Sequence, residues 1–120
     1  MTDDSVVASA ALAAARRLAA ELRLPSLPLE VEATFRSGGT RERPRQFVDP
    51  VALAGLVVSV TNLAWQVYCD KKKEGAKPTR DALITIVRVQ RRERGDVTRA
   101  EEKIIEVVAA EIIKAAGDDD

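Results

Sequence analysis

Residues 51–69 read Val-Ala-Leu-Ala-Gly-Leu-Val-Val-Ser-Val-Thr-Asn-Leu-Ala-Trp-Gln-Val-Tyr-Cys and contain no charged side chain. A run of this length and apolarity predicts a helix that is buried around most of its circumference. Asp49 and Pro50 precede it as a start signal, because proline is favoured at the first helical position. Three lysines at 71–73 follow it and stabilise the negative end of a helix. The stretch therefore predicts a long central helix.

One side of this predicted helix is small and polar. At about 100° per residue, its glycine, serine and two amide side chains fall within roughly 60° of one another. In a soluble protein such a stripe is the one wet edge of a nearly buried helix, or a line of contact with another subunit. Two aromatic residues lie close to it in the sequence, and aromatic residues dominate contact energetics. The predicted interface residues are Gly55, Ser59, Asn62, Trp65, Gln66 and Tyr68.

A second interpretation places residues 51–69 in a membrane. The run is long enough to cross a bilayer, and Trp65 and Tyr68 resemble interfacial anchors. The amides of Asn62 and Gln66 argue against it, because they are expensive in hydrocarbon unless they are paired. A small membrane-associated protein with one inserted helix is therefore kept as an alternative to a cytoplasmic protein.

Two segments alternate in polarity as strands do. Apolar side chains occupy every second position from Leu29 to Phe35, and alternation resumes after Val87. Helical spacing, the prolines Pro25 and Pro28 after the first helix and a Thr-Arg-Ala-Glu capping box at 98–101 define the other elements. The predicted order is a helix over 5–23, a strand over 29–36, a helix over 51–69, a short helix over 79–86, a strand over 86–93 and a helix over 98–116.

This order predicts a mixed α+β fold in one domain. The chain has 120 residues, with a core expected over about 5–116 and an acidic tail at 117–120. Two strands separated by a helix would most simply lie parallel, and a two-stranded sheet leaves both edges exposed. Pairing with the strands of a second copy would cover those edges. We therefore expect a homodimer or a higher assembly, with a further protein partner of unknown identity.

Composition argues against an enzyme. The chain has 19 basic and 19 acidic residues, one cysteine and no histidine, so the commonest general base and zinc ligand are absent. Cys69 has no histidine to activate it, and Glu30 with Glu32 has no third ligand nearby. No cofactor, metal or catalytic residue is predicted. The single cysteine and the acidic N-terminal segment, which is unlike a secretory signal, favour the cytoplasm.

Arginines cluster in the loop after the first strand and on the second strand. If they share a face, they could bind an anion such as a nucleic acid or a lipid headgroup. Few aromatic rings lie near them for base stacking, which disfavours nucleic acid. Alternatively, the strand arginines pair with Glu30 and Glu32 across the sheet. The candidate anion-binding residues are Arg41, Arg43, Arg45, Arg88, Arg91, Arg92 and Arg94.

Four short stretches carry a family resemblance. Residues 63–68 (Leu-Ala-Trp-Gln-Val-Tyr), 70–73 (Asp-Lys-Lys-Lys), 77–79 (Lys-Pro-Thr) and 87–89 (Val-Arg-Val) are similar to small modules of actinobacterial proteins. Those modules resemble the effector-associated adaptor domains of bacterial signalling and conflict systems. The resemblance covers residues 50–113 and contains no catalytic motif. It implies a non-enzymatic protein-interaction role, in which homotypic or heterotypic association brings an effector to a sensor. Together with the expected assembly, this predicts a self-associating module that recruits or regulates a partner effector.

Overall fold

The computed structural model describes residues 3–36, 50–75, 78–93 and 98–116. Helix accounts for 88% of these residues, and no strand occurs among them. The predicted α+β fold is therefore wrong, and so is the two-stranded sheet that oligomerisation was expected to extend. The elements are α1 (Asp3–Leu22), α2 (Leu27–Arg36), α3 (Pro50–Lys73), α4 (Arg80–Arg92) and α5 (Arg99–Ala115).

The segment predicted as a strand over 29–36 is helix α2. Leu27 and Val31 are fully buried and Phe35 is partly buried against the core, which is the four-residue spacing of one helix face. Leu29, which a strand would bury beside Val31, is 70% exposed. The alternation concealed this helical line because Leu27 lies before the alternating run and Leu29 is an apolar residue in solvent.

The second predicted strand, over 86–93, is the continuation of helix α4. The predicted start is confirmed, since the Thr79 side chain accepts a hydrogen bond from the Ala82 backbone N–H at 3.1 Å. The helix then runs to Arg92 instead of ending near 86. Leu83 and Val87 are fully buried four residues apart, whereas Val89 is 53% exposed, so period two is not the burial pattern.

The other three helices occur where the sequence predicted them. Helix α1 begins two residues before the predicted 5–23 helix and ends one residue earlier. Helix α3 extends the 51–69 prediction at both ends, and α5 matches 98–116 to within one residue at each end. Thr98 caps α5 by accepting from the Glu101 backbone N–H at 3.1 Å. The acidic tail at 117–120 lies outside the described residues.

Helix α3 is the centre of the bundle, because it contacts each of the other four helices. Those helices also contact one another in the series α2–α1–α5–α4. The two ends of the series, α2 and α4, make no contact in the described part of the chain. The helices around α3 therefore form an incomplete ring, which is open between α2 and α4.

Helices α1 and α5 pack in opposite directions. Arg17 Nη1 lies 3.0 Å from Glu111 Oε2, and Lys103 Nζ lies 3.3 Å from Glu21 Oε1. From the first pair to the second, the residue numbers rise in α1 and fall in α5, so the two helices are antiparallel. One broad face of α5 lies in the core and includes Ile104, Ile105, Val108 and Ile112.

Candidate interaction surface on helix α3

The open side of the helix ring exposes one edge of α3. Asn62 and Gln66 are exposed at its middle, and Asp70 and Lys73 continue the exposed line toward its C-terminal end. Toward the N-terminal end the same line is half-buried and small. At about 100° per residue all these positions lie on one side of the helix. We define the open edge as Gly55, Ser59, Asn62, Gln66, Asp70 and Lys73.

The side of α3 away from the open edge is buried, as the uncharged sequence predicts. Leu53, Val57 and Val60 are at most 4% exposed on the side away from the open edge. Thr61 is fully buried as well, and its hydroxyl donates to the Val57 carbonyl oxygen at 2.6 Å. This bond satisfies the hydroxyl within its own helix, so it does not require an external partner. The sequence prediction of a nearly buried central helix is confirmed.

An aromatic pair flanks the open edge. The rings of Trp65 and Tyr68 are stacked, with centroids 5.5 Å apart and an interplanar angle of 10°. Lys72 Nζ lies 5.8 Å from the centre of the Tyr68 ring, within cation–π range. Tyr68 is buried and Trp65 is half-buried, so only the indole reaches the surface.

The indole N–H of Trp65 is an unsatisfied buried donor. Its Nε1 atom is buried and has no hydrogen-bond partner among the described residues. An unmade hydrogen bond of this kind costs about 1–3 kcal/mol. The unsatisfied N–H group therefore offsets part of the stability that the indole ring contributes at the border of the open edge.

The predicted arginine cluster is divided by the fold. Arg88 and Arg91 lie on α4 and face α5, where Arg88 Nε is 2.8 Å from Glu102 Oε1 and Arg91 Nε is 2.5 Å from Glu101 Oε2. The Arg88 N–H does not point along a hydrogen bond to that oxygen, so this contact is an ion pair only. Arg92 is exposed on α4. The remaining candidates, Arg41, Arg43, Arg45 and Arg94, lie outside the described residues.

Among the described residues, Arg88, Arg91 and Arg92 do not make the predicted pairs with Glu30 and Glu32. Glu32 pairs with Arg36 one turn along its own helix. The carboxylates that meet Arg88 and Arg91 come from the first turn of α5 instead. Arg88 and Arg91 therefore join α4 to α5, and their pairing with glutamates reduces the positive charge that they offer to an external anion.

A shallow depression of about 730 Å³ lies between the end of α1 and the start of α5. Its charged side chains are of both signs, and Lys103 is paired with Glu21 across it. Its lining contains no cysteine, serine or threonine that could act as a nucleophile. The depression is lined by Glu21, Leu22, Arg99, Ala100, Glu102, Lys103 and Glu106.

The structure also locates the single cysteine and tests the metal-site and membrane interpretations. Cys69 is half-buried on α3. In the described part of the chain, no group of three potential metal-ligating side chains comes together. Among residues 3–36, 50–75, 78–93 and 98–116, no helix combines the length and the apolarity that crossing a membrane requires.

Two members of the open edge were missed in the sequence. The uncharged run ends at Cys69, and the predicted stripe ended with it. Asp70 follows Gln66 by four residues and Lys73 follows Asp70 by three, so helical spacing alone would have extended the stripe. Because the pattern was confined to the uncharged segment, Asp70 and Lys73 were assigned only to the C-terminal end of the helix.

Comparison of the chain with protein families, curated proteins and solved structures returns no match.

Proposed function

We propose that this chain is a non-enzymatic protein-interaction module that self-associates through the open edge of α3. In this proposal, assembly brings the module to a partner effector or regulates that effector, as the resemblance to effector-associated adaptor domains implies. The anion-binding arginines are not assigned a role, because Arg88 and Arg91 are occupied by glutamates of α5.

One observation carries the proposal. The central helix of the bundle presents two exposed amide side chains, Asn62 and Gln66, on one side of its surface. An amide can donate and accept at once, so a line of amides can exchange hydrogen bonds with a similar line on another helix. The half-buried ring of Trp65 beside them adds the kind of contact that dominates interface energies.

The correction of the fold changes the reason for expecting assembly. Without a sheet, no strand edge needs to be covered by a second copy. The support now comes from α3, where Gly55 and Ser59 leave room for close approach and the ring of helices leaves a side open. The proposal therefore depends on one helix surface.

Sedimentation velocity between about 1 and about 200 μM tests this proposal, because a self-associating chain changes its mass with concentration. We expect Asn62→Arg to weaken self-association at least tenfold, or about 1.4 kcal/mol, by placing bulk and charge on the open edge. Ala20→Arg is the matched control, since it adds the same side chain at an exposed position of α1. A monomeric wild-type chain at every concentration would overturn the proposal, as would normal association of Asn62→Arg.

A further inference from the structure

We propose that the occupant of the open edge is a second copy of this chain, with the two α3 helices packed antiparallel across a twofold axis. The inference rests on the proposed function and specifies its partner and orientation. The axis passes midway between Asn62 and Gln66, at the level of position 64 along α3. Symmetric pairing of this kind is the commonest arrangement of homodimers.

The order of side chains along the open edge is self-complementary in this orientation. Antiparallel pairing about residue 64 places Asn62 opposite Gln66 of the second copy, so each amide meets another amide. Ser59 lies opposite Asp70 of the second copy, and a hydroxyl donor then faces a charged acceptor. The twofold axis repeats each of these contacts, so every pair of residues occurs twice in the dimer.

Size is complementary in the same way. The N-terminal half of the open edge carries Gly55 and Ser59, and the C-terminal half carries Asp70 and the long side chain of Lys73. Antiparallel pairing sets the small half against the large half, with Gly55 opposite Lys73. A close and continuous contact along the edge is possible because no bulky side chain meets another at its ends.

Parallel pairing of the same edge is disfavoured. It would set Asp70 against Asp70 and Lys73 against Lys73, which places like charges together. It would also pair Gly55 with Gly55 at one end and Lys73 with Lys73 at the other. The long lysine side chains would then hold the helices too far apart for the glycines to make contact. The charge order on α3 therefore selects the antiparallel arrangement over the parallel one.

Charges introduced at Ser59 and reversed at Asp70 test the register of the two helices. The two residues are about 16 Å apart along α3 at 1.5 Å per residue, so they cannot interact within one chain. Coupling between substitutions at these positions can then arise only between copies. Ser59→Asp brings a carboxylate opposite Asp70 of the second copy, and Asp70→Lys converts that repulsion into attraction.

The experiment measures the dimer dissociation constant by sedimentation equilibrium for wild type, Ser59→Asp, Asp70→Lys and the double variant. We expect Ser59→Asp to raise the dissociation constant at least about tenfold, since a like-charge pair is strongly disfavoured at an interface. The double variant is expected to return to within about threefold of wild type. Ser9→Asp, at an exposed position of α1, is the matched control and leaves association unchanged. Circular dichroism of each variant verifies the helical fold.

The outcomes separate this inference from the proposed function. If the wild type associates and Asn62→Arg blocks association, but Asp70→Lys does not rescue Ser59→Asp, the antiparallel pairing is overturned and the module still assembles through the open edge. A wild-type chain that stays monomeric overturns both. Rescue in the double variant, with no effect of Ser9→Asp, supports the antiparallel second copy.

Discussion

The Nε atom of Arg91 lies 2.5 Å from Oε2 of Glu101, and this pair joins the end of α4 to the start of α5. The two side chains are only 16% and 10% exposed. Glu101 occupies the capping-box position of α5, and its backbone N–H donates to the hydroxyl of Thr98. Its carboxylate binds the arginine of another helix, so one residue both starts α5 and fixes α4 against it.

Removal of one member of this pair is expected to destabilise the fold. Arg91→Met leaves the Glu101 carboxylate buried without its counter-charge, which costs about 3–5 kcal/mol. Arg91→Met combined with Glu101→Leu is expected to cost less than Arg91→Met alone, because no charge is then left unpaired. Urea unfolding of the single variant, the double variant and wild type measures both effects.

The exposed pair of Glu32 and Arg36 provides the control for this prediction. Its side chains are 46% and 76% exposed, so Arg36→Met is expected to cost no more than about 0.5 kcal/mol. Equal costs for Arg36→Met and Arg91→Met would contradict the assignment of the α4–α5 pair as a buried contact.

A matched pair of leucine substitutions tests the helical assignment of residues 27–36. Leu27 is fully buried, so Leu27→Ala is expected to cost about 2–5 kcal/mol of unfolding free energy. Leu29 is mostly exposed, and Leu29→Ala is expected to change stability by no more than about 0.5 kcal/mol. Thermal or urea unfolding gives both values. A large loss for Leu29→Ala would favour the strand that the alternation predicted.

Two residues that follow helices have positive φ angles and predict opposite effects. Arg23 has φ 58° after α1, where the Leu24 backbone N–H donates to the Ala19 carbonyl oxygen at 3.0 Å. Arg23→Gly removes the Cβ strain, and we expect a gain of about 1 kcal/mol. Gly75 has φ 85° after α3, and Gly75→Ala is expected to lose a similar amount. Melting temperatures measured in one buffer compare the two, and a destabilised Arg23→Gly would refute the left-handed conformation of Arg23.

Substitution of Trp65 separates the ring from its N–H group. Trp65→Ala removes the stack on Tyr68, and the expected cost is about 3 kcal/mol, at the lower end for buried aromatic residues because Trp65 is half-buried. Trp65→Phe keeps an aromatic ring and removes the unsatisfied donor, so we expect a cost under about 1 kcal/mol. Urea unfolding at a protein concentration that keeps the chain monomeric measures both. If phenylalanine cost as much as alanine, the indole N–H would have to contribute to stability.

The central helix and its polar side could be predicted from the sequence because both depend on local pattern. An uncharged run of nineteen residues with one small and polar line leaves little choice about which side meets water. The same pattern could not show that α2 and α4 would fail to meet. That gap depends on how four other helices pack, which no single segment encodes.

The two wrong strands have one cause. Period two and period four coincide at every second apolar position, so an alternating run such as Leu29 to Phe35 also contains a helical line. Burial decides between them, and burial depends on the partner surface. Leu29 and Val89 are apolar residues that the fold leaves in water, and such residues are common enough that polarity alone misassigns a short segment.

The ion pairs could not be predicted from the sequence, because they depend on how the helices pack. Arg17 and Glu111 are separated by almost the whole chain, and only the antiparallel packing of α1 on α5 brings them together. Arg91 and Glu101 are ten positions apart, but their contact requires α4 to be a helix through Arg91. A strand prediction for that segment directed its arginines toward the wrong glutamates.

The antiparallel packing of α1 against α5 has a consequence for how the chain folds as it is made. Helix α5 leaves the ribosome after the other four, yet it supplies the apolar side chains that cover α1, α3 and α4. Until it emerges, the faces of α1, α3 and α4 that α5 covers in the folded protein remain exposed on the nascent chain. Native structure therefore forms only after synthesis passes α5, and truncation before Arg99 is expected to yield an aggregating fragment instead of a smaller stable bundle.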